Sequence, residues 1–378
     1  MIKLRIGILG TRGIPNHYGG FECFAEYVSQ GLVNKGHEVY VYNSHNHPNQ
    51  QTAWNGVNII HCYDPEFIMR SFGQFIYDLN CITDARKRKF DIILFLGYTS
   101  SSIWGMLYPR KPVIIYNMDG FEWKRSKYSK KVQQFLRYAE KLAIKYSDYF
   151  VADSKHIQAY LHEKYNVAPE YIAYGADVFS TPDENIIVQY GLKKQSYNML
   201  MARMEPENNV EMILDGYHLS TSQLDFIVVG NTGNKFGKYL KHKFSGDKRI
   251  RFEGAIFNQL HINNLIFFSN LYFHGHSVGG TNPSLLEAMG CHALIVAQDN
   301  IFNKSVLNDK AFYFNTPQEV AHYADILSKN TCSNEILQAN ATTIEQQYSW
   351  SKIVDEYEAF FLQCYHETRR KFSYTKEC

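Results

Sequence analysis

Three stretches of this 378-residue sequence set residues with binding chemistry beside turns rich in glycine. In "HGHSVGGTNPSLLEAMGCHALIVAQD", residues 274–299, Gly279, Gly280, Thr281, Asn282 and Pro283 crowd ahead of Glu287. Ser284 or Asn282 suits the N-cap of a helix over about 285–289, which by itself explains the turn. The same turn has a second reading: N–H groups around Gly280, Thr281 and Asn282 cradle a diphosphate, while Glu287, one turn in, accepts two sugar hydroxyls. Leu285, Leu286, Ala288 and Met289 predict burial around Glu287, and a buried carboxylate needs a partner. In "LMARMEPENN", residues 200–209, Arg203 ends an apolar run, where its planar fork fits an anionic oxygen. Its alternative is a surface ion pair with Glu205 or Glu207. In "GTRGIPNHYGGFE", residues 10–22, Gly19 and Gly20 precede a helix and admit a phosphate or sugar close to the backbone, or mark a plain turn. Arg12 is a candidate binding residue or a surface ion-pair residue, and His17 is a loop histidine.

Other chemistries lose ground. Neither G-x-G-x-x-G nor G-x-x-x-x-G-K-[ST] occurs; "GNTGNKFGKY" has the wrong glycine spacing. There is no D-x-D to hold a divalent cation, so metal-independent chemistry is expected, with Arg203 and helix N-termini carrying the leaving-group charge. A net charge of +2 provides no field to gather nucleic acid. The seven cysteines show no C-x-x-C and read as reduced thiols. Lys3 and Arg5 interrupt the first apolar run, which reads as a strand and not a signal segment, and the uncharged stretch 92–109 reads as a buried strand followed by a capped helix. A cytoplasmic protein is expected.

The elements that must position these residues are legible as recurring apolar runs. "LRIGILG", "EVYVYN", "VNIIHC", "DIILFLG", "PVIIYNM", "YFVADS" and "EYIAYG" alternate with helix-length segments, and the pattern restarts at about residue 198 with "NMLMARM", "DFIVVG", "IRFEGAI", "LYFHGH", "ALIVAQ" and "AFYFN". Apolar runs without alternation are strands buried on both faces, and intervening helices imply parallel crossovers. The prediction is α/β: two Rossmann-like doubly wound domains facing a cleft, joined near 174–185, with ligands beyond the carboxyl ends of the strands. "YSWSKIVDEYEAFFLQCYHETRRK" reads as a long closing helix with Ile353, Tyr357, Phe360, Phe361 and Cys364 on one side.

Taken together, "GTRGIPNHYGGFE", "NMDGFEWKR", "VADS", "YIAYGAD", "ARMEPENN", "FEGAI", "GGTNPSLLEAMG" and "YSW" resemble the family 4 glycosyltransferases of GT-B fold, most of all a bacterial rhamnosyltransferase-like subgroup, across about residues 5–355. The resemblance implies an acceptor domain over 1–180, completed by a helix over 352–378 that crosses back to it, and a nucleotide-sugar donor domain over 181–351. It implies retaining transfer of a hexose or 6-deoxyhexose, rhamnose from a dTDP donor favoured, to a glycan or lipid-linked acceptor in surface polysaccharide synthesis. Asp119, Arg203 and Glu287 are the catalytic candidates. Glu287 matches the second glutamate of the family's E-x7-E motif, Arg203 the diphosphate arginine, and Gly19 and Gly20 the glycine pair near the phosphates. Asp119 and Gly120 fall near the acceptor hydroxyl, with Arg12. Two positions depart from the family: Gly279 replaces the first glutamate, and Asn208 replaces the phosphate lysine. Gly279, Gly280, Thr281, Asn282 and Asn208 complete the donor set. The departures keep other readings open, namely an idle relative that binds a sugar nucleotide or a partner enzyme, and a sugar-nucleotide epimerase. No metal or other cofactor is implied beyond the nucleotide-sugar co-substrate.

Residues 124–146 hold eight Lys or Arg against Glu140 alone, with Val132, Phe135, Leu136, Ala139, Leu142 and Ala143 as an apolar stripe. This is either a docked helix with a solvated basic face or a surface for anionic lipid at the inner face of the membrane, to which Arg369, Arg370 and Lys371 would add.

Overall fold

β-Branched and aromatic runs bounded by glycine form two sheets in the computed structural model, which describes residues 2–118, 120–125, 128–332 and 334–374, without the side chains of 371–374. The first sheet contains β1 (Arg5–Leu9), β2 (Glu38–Ser44), β3 (Ala53–Trp54), β4 (Val57–Cys62), β5 (Ile92–Leu96), β6 (Val113–Asn117), β7 (Tyr149–Ala152) and β8 (Glu170–Tyr171). Its order is β3-β4-β2-β1-β5-β6-β7-β8, parallel except for the β3–β4 hairpin. The second contains β9 (Tyr197–Met201), β10 (Asp225–Val229), β11 (Ile250–Gly254), β12 (Tyr272–His274), β13 (Ile295–Gln298) and β14 (Phe312–Phe314), all parallel in the order β11-β10-β9-β12-β13-β14. In each sheet the strand order reverses beside the first strand, between β1 and β5 and between β9 and β12. Loops leaving the carboxyl ends diverge there and open a crevice.

The chain divides into two units: residues 1–123, 128–174 and 350–378 in one, residues 124–127 and 175–349 in the other. In unit 1 the closing helix Trp350–Tyr374 lies against the helix Gly20–Asn34. Ile353, Tyr357, Phe360, Phe361 and Cys364 are all buried, as the periodicity predicts. The approach is close enough that a Cβ at Gly31 would sit 2.5 Å from Val354. Phe24 meets Tyr357 at 5.1 Å, and Asn117 of β6 donates to the Tyr357 hydroxyl at 3.1 Å. Lys35 pairs with Asp355 and Glu358 at the rim.

Two local readings change. The segment after β5 forms a short 3-10 helix, Ser102–Leu107, held by Trp104 Nε1 donating to the Phe75 carbonyl. On the basic helix Lys130–Tyr146, Glu140 faces inward and is 2% exposed, accepting from Trp123, Tyr160, Lys164 and Tyr165, while Val132 of the expected stripe is 39% exposed. The outward face is therefore more basic than the residue count suggests.

Candidate functional site

In unit 2 the crevice beside β9 and β12 gathers the two stretches singled out by sequence. β9 is buried to its end; Met204 then plugs back into the core at 1% exposed, which turns Arg203 outward. The Arg203 carbonyl accepts from the Glu205 N–H at 2.8 Å and from Asn208 Nδ2 at 2.8 Å. Asn208 is buried, so its amide clamps the turn that presents Arg203 instead of pointing to solvent. Among the described residues no ion pair ties Arg203 to Glu205 or Glu207. Glu207 instead lies 3.9 Å from Arg125, and its carbonyl accepts from the N–H and hydroxyl of Ser277 at 3.2 and 2.7 Å.

The loop after β12 is stapled on several sides. Asn209 Nδ2 donates to the Gly275 carbonyl at 2.8 Å, while Asn300 and Asn303 donate to the His276 carbonyl at 3.0 and 3.1 Å. Gly275 is required by close approach, since a Cβ there would stand 2.2 Å from the Asn208 carbonyl oxygen. The loop then passes Gly279, at φ +135, a conformation in which an L side chain is strained. Asn282 caps the helix Pro283–Gly290, its side chain accepting from the Ser284 N–H at 3.1 Å, with Pro283 at the first helical position. Of the two cap candidates, Asn282 is the one used. Thr281 is buried beside it.

Glu287 is half-buried on this helix. Burial pushes its pKa from 4.5 to about 7, and Gln259 works weakly the other way. Two histidines that sequence reasoning passed over stand at the end of β12. His274 is 1% exposed, stacks on His276 at 4.6 Å, and has no hydrogen-bond partner at either ring nitrogen among the described residues. Burial lowers its pKa to about 3. Burial, His274, Arg203 and Arg125 hold His276 well below the ordinary histidine range. Both imidazoles are thus neutral at pH 7, and the cations beside them are the guanidiniums of Arg203 and Arg125. A period-two His-Gly-His at the end of an apolar run was the available signal.

In unit 1 the β1 loop is ordered by Glu22, 3% exposed, which accepts from the Arg12 N–H at 2.8 Å and from Thr11 at 3.3 Å. Asn43 brackets Ile14 from both sides, at 3.1 and 2.9 Å. Arg12 makes a bidentate pair with Glu66, at 3.0 and 2.7 Å, under the Tyr18 ring at 3.9 Å. The ion-pair alternative for Arg12 is thus realised, inside a recess of about 260 Å³ shared with His17, His47, Asp64 and Phe67. Gly19 is extended and caps the helix that begins at Gly20. Gly120 has φ +59. Asp119 lies outside the described residues.

A family model described as a domain of unknown function (DUF1972) matches residues 3–177. No curated protein matches the sequence. Among solved structures, sucrose-phosphate synthase from Thermosynechococcus elongatus superposes with a TM-score of 0.77 at 13% identity, covering 97% of this chain and 100% of that one. Anabaena HepE, solved with UDP-glucose, gives 0.73 at 15% identity over 95% and 99%. A glycosyltransferase from Rickettsia africae gives 0.67 at 13% identity over 96% and 98%. At such identities the likeness is one of fold, and the fold is GT-B.

Proposed function

We propose that the chain is a retaining glycosyltransferase that moves a hexose or 6-deoxyhexose, rhamnose from a dTDP donor favoured, onto a glycan or lipid-linked acceptor. The observation that carries this reading is the crevice of unit 2: Arg203 carries a guanidinium with no ion-pair partner among the described residues, beside the capped start of Pro283–Gly290 and the half-buried carboxyl of Glu287 one turn in. Such a set suits a nucleotide sugar, with Arg203 and helix N–H groups on the diphosphate and Glu287 on the ribose. The leaving diphosphate, stabilised there as charge develops, would help deprotonate the acceptor hydroxyl on the same face of the sugar. HepE, of like fold, was solved with UDP and glucose, which supports a nucleotide-sugar donor. Gly19 and Gly20 are proposed phosphate contacts, and Arg12, Asp119 and Gly120 proposed acceptor contacts, in unit 1.

The φ of +135 at Gly279 bears on the idle alternative. A glutamate would be strained at this backbone position, so glycine here is what the turn requires and not a residue lost from an otherwise unchanged site. Hydroxyl recognition would then fall to Thr281, Asn282 and backbone groups.

Attachment to an anionic membrane surface is supported by the composition of one edge of unit 1. Phe67, Ile68 and Phe72 are 64%, 67% and 61% exposed, and the chain of rings Phe72–Phe75–Phe135, at 5.8 Å each, links Phe72 to the basic helix. Apolar side chains flanked by lysines suit a bilayer interface. Among the described residues no helix is long and apolar enough to cross a membrane. Incubating the purified protein with a panel of nucleotide sugars, with and without a lipid-linked acceptor, tests the function. Nucleotide released only with acceptor is the expected result; turnover to an isomeric sugar nucleotide without acceptor would favour an epimerase.

A further inference from the structure

Unit 2 has a second recess that shares no lining residue with the Arg203 and Glu287 loops. Its volume is about 1000 Å³, and among the described residues its wall carries Lys194, Lys310 and Lys329 beside Phe267, His292 and Leu337. Lys329 is only 9% exposed. Its ammonium donates to the Phe267 carbonyl at 2.6 Å and lies 5.4 Å from the centre of the Phe267 ring. Lys310 donates to the Thr343 hydroxyl at 2.6 Å. Neither ammonium meets a carboxylate among the described residues, so both are held by neutral acceptors. Burial draws the Lys329 pKa down to about 8, opposed by Cys291 and with a lesser lowering by the charge of Lys194.

Removing an ammonium from water without a counter-ion is costly, and a carbonyl and a hydroxyl offset only part of that cost. Three lysines face a single lining carboxylate, Glu335, among the described residues, an excess of two positive charges. A phosphomonoester dianion carries the matching charge. The recess is at the upper end of the size range of small-molecule sites, far larger than a bare phosphate needs, and Phe267 and Leu337 give it an apolar floor. We propose that this recess binds an organic phosphomonoester, its phosphate held by Lys194, Lys310 and Lys329 and its apolar or ring portion lying on Phe267 and Leu337.

The test is titration calorimetry with phenyl phosphate on the full chain carrying Arg203→Ala, so that phosphate bound beside Arg203 does not contribute. Saturable one-site binding is expected, weakened about ten-fold by either Lys310→Gln or Lys194→Gln, as for a lost hydrogen bond to a charged group. Lys329→Met should abolish it, and the first two variants keep the test decisive if Lys329→Met fails to fold. Inorganic phosphate and phenol should each bind at least ten-fold more weakly than phenyl phosphate. Absence of saturable binding, equal affinity in the Lys310 and Lys194 variants, or inorganic phosphate binding as tightly as phenyl phosphate would overturn the proposal. None of these results bears on the donor assignment, which stands or falls on turnover and nucleotide binding at Arg203 and Glu287.

Discussion

Replacing Glu287 gives the sharpest test of the donor assignment, because the structure supplies both a magnitude and a pH signature. Burial has moved this carboxyl from 4.5 to about 7, equivalent to roughly 3 kcal/mol against the charged form. At pH 7 about half the free protein therefore carries a protonated Glu287. If the carboxylate accepts hydroxyls of a nucleotide ribose, binding selects the ionised form, and about half a proton should be released per nucleotide at pH 7. Affinity for UDP should accordingly tighten from pH 6 to pH 8, and Glu287→Gln should flatten that dependence. Hydrogen bonds to a charged acceptor are worth about 1.5 to 3 kcal/mol each, so losing two of them in Glu287→Ala should cost about 3 to 6 kcal/mol for UDP, on the order of 10²- to 10⁴-fold in Kd. The deoxyribose of dTDP lacks the 2′-hydroxyl and can offer only one of these bonds, so the same substitution should cost about half as much with dTDP. Calorimetry in two buffers of different ionisation enthalpy measures affinity and proton release together. Equal affinities in the parent and the alanine variant, with no proton released, would refute the assignment and leave Glu287 with the sugar or the fold alone.

Arg203→Ala should lower kcat/KM by about 2 to 4 kcal/mol, and turnover within a few-fold of the parent would remove Arg203 from the diphosphate. Lys130→Gln with Lys131→Gln should weaken sedimentation with anionic vesicles, more at low salt; unchanged sedimentation would leave the basic helix a solvated surface. Lys127, of the same run, lies outside the described residues. Asp78 is 3% exposed, and burial raises its pKa from 3.8 to about 7, opposed by Ser100 and Arg12. A raised carboxyl contributes stability that is complete below about pH 4 and lost as pH rises to about 7. Urea unfolding should therefore show Asp78→Asn gaining on the parent by about 1.4 kcal/mol per pH unit between pH 5 and pH 7; a constant difference would mean that Asp78 titrates normally.

Much of this architecture is written in one-dimensional signals. Strands buried on both faces need unbroken apolar runs, so β1, β5, β6, β9, β10 and β13 stand out, as does the closing helix through its 3.6-residue period. The Arg203 turn and the Asn282 cap are legible because glycine, proline and capping residues have few backbone options. What escaped depends on partners distant in sequence. Glu140 looks like a surface counter-charge until Tyr160, Lys164 and Tyr165 close over it. Arg12 is claimed by Glu66, which is 54 residues away. One local signal went unread: Asn55 and Gly56, at φ +45 and +82, form the Asn-Gly turn of the β3–β4 hairpin.

The closing helix has a consequence for how the protein comes into being. Unit 1 draws its last structural piece from residues made after all of unit 2, and the Asn117–Tyr357 bond spans 240 positions. On a ribosome, unit 2 can condense as soon as its own residues have emerged, but unit 1 must wait with Phe24, Asn117 and Gly31 lacking the surface they pack against. The final 25-residue helix is therefore a late clasp, and nascent unit 1 is the stage at which this chain is exposed to aggregation and to chaperones.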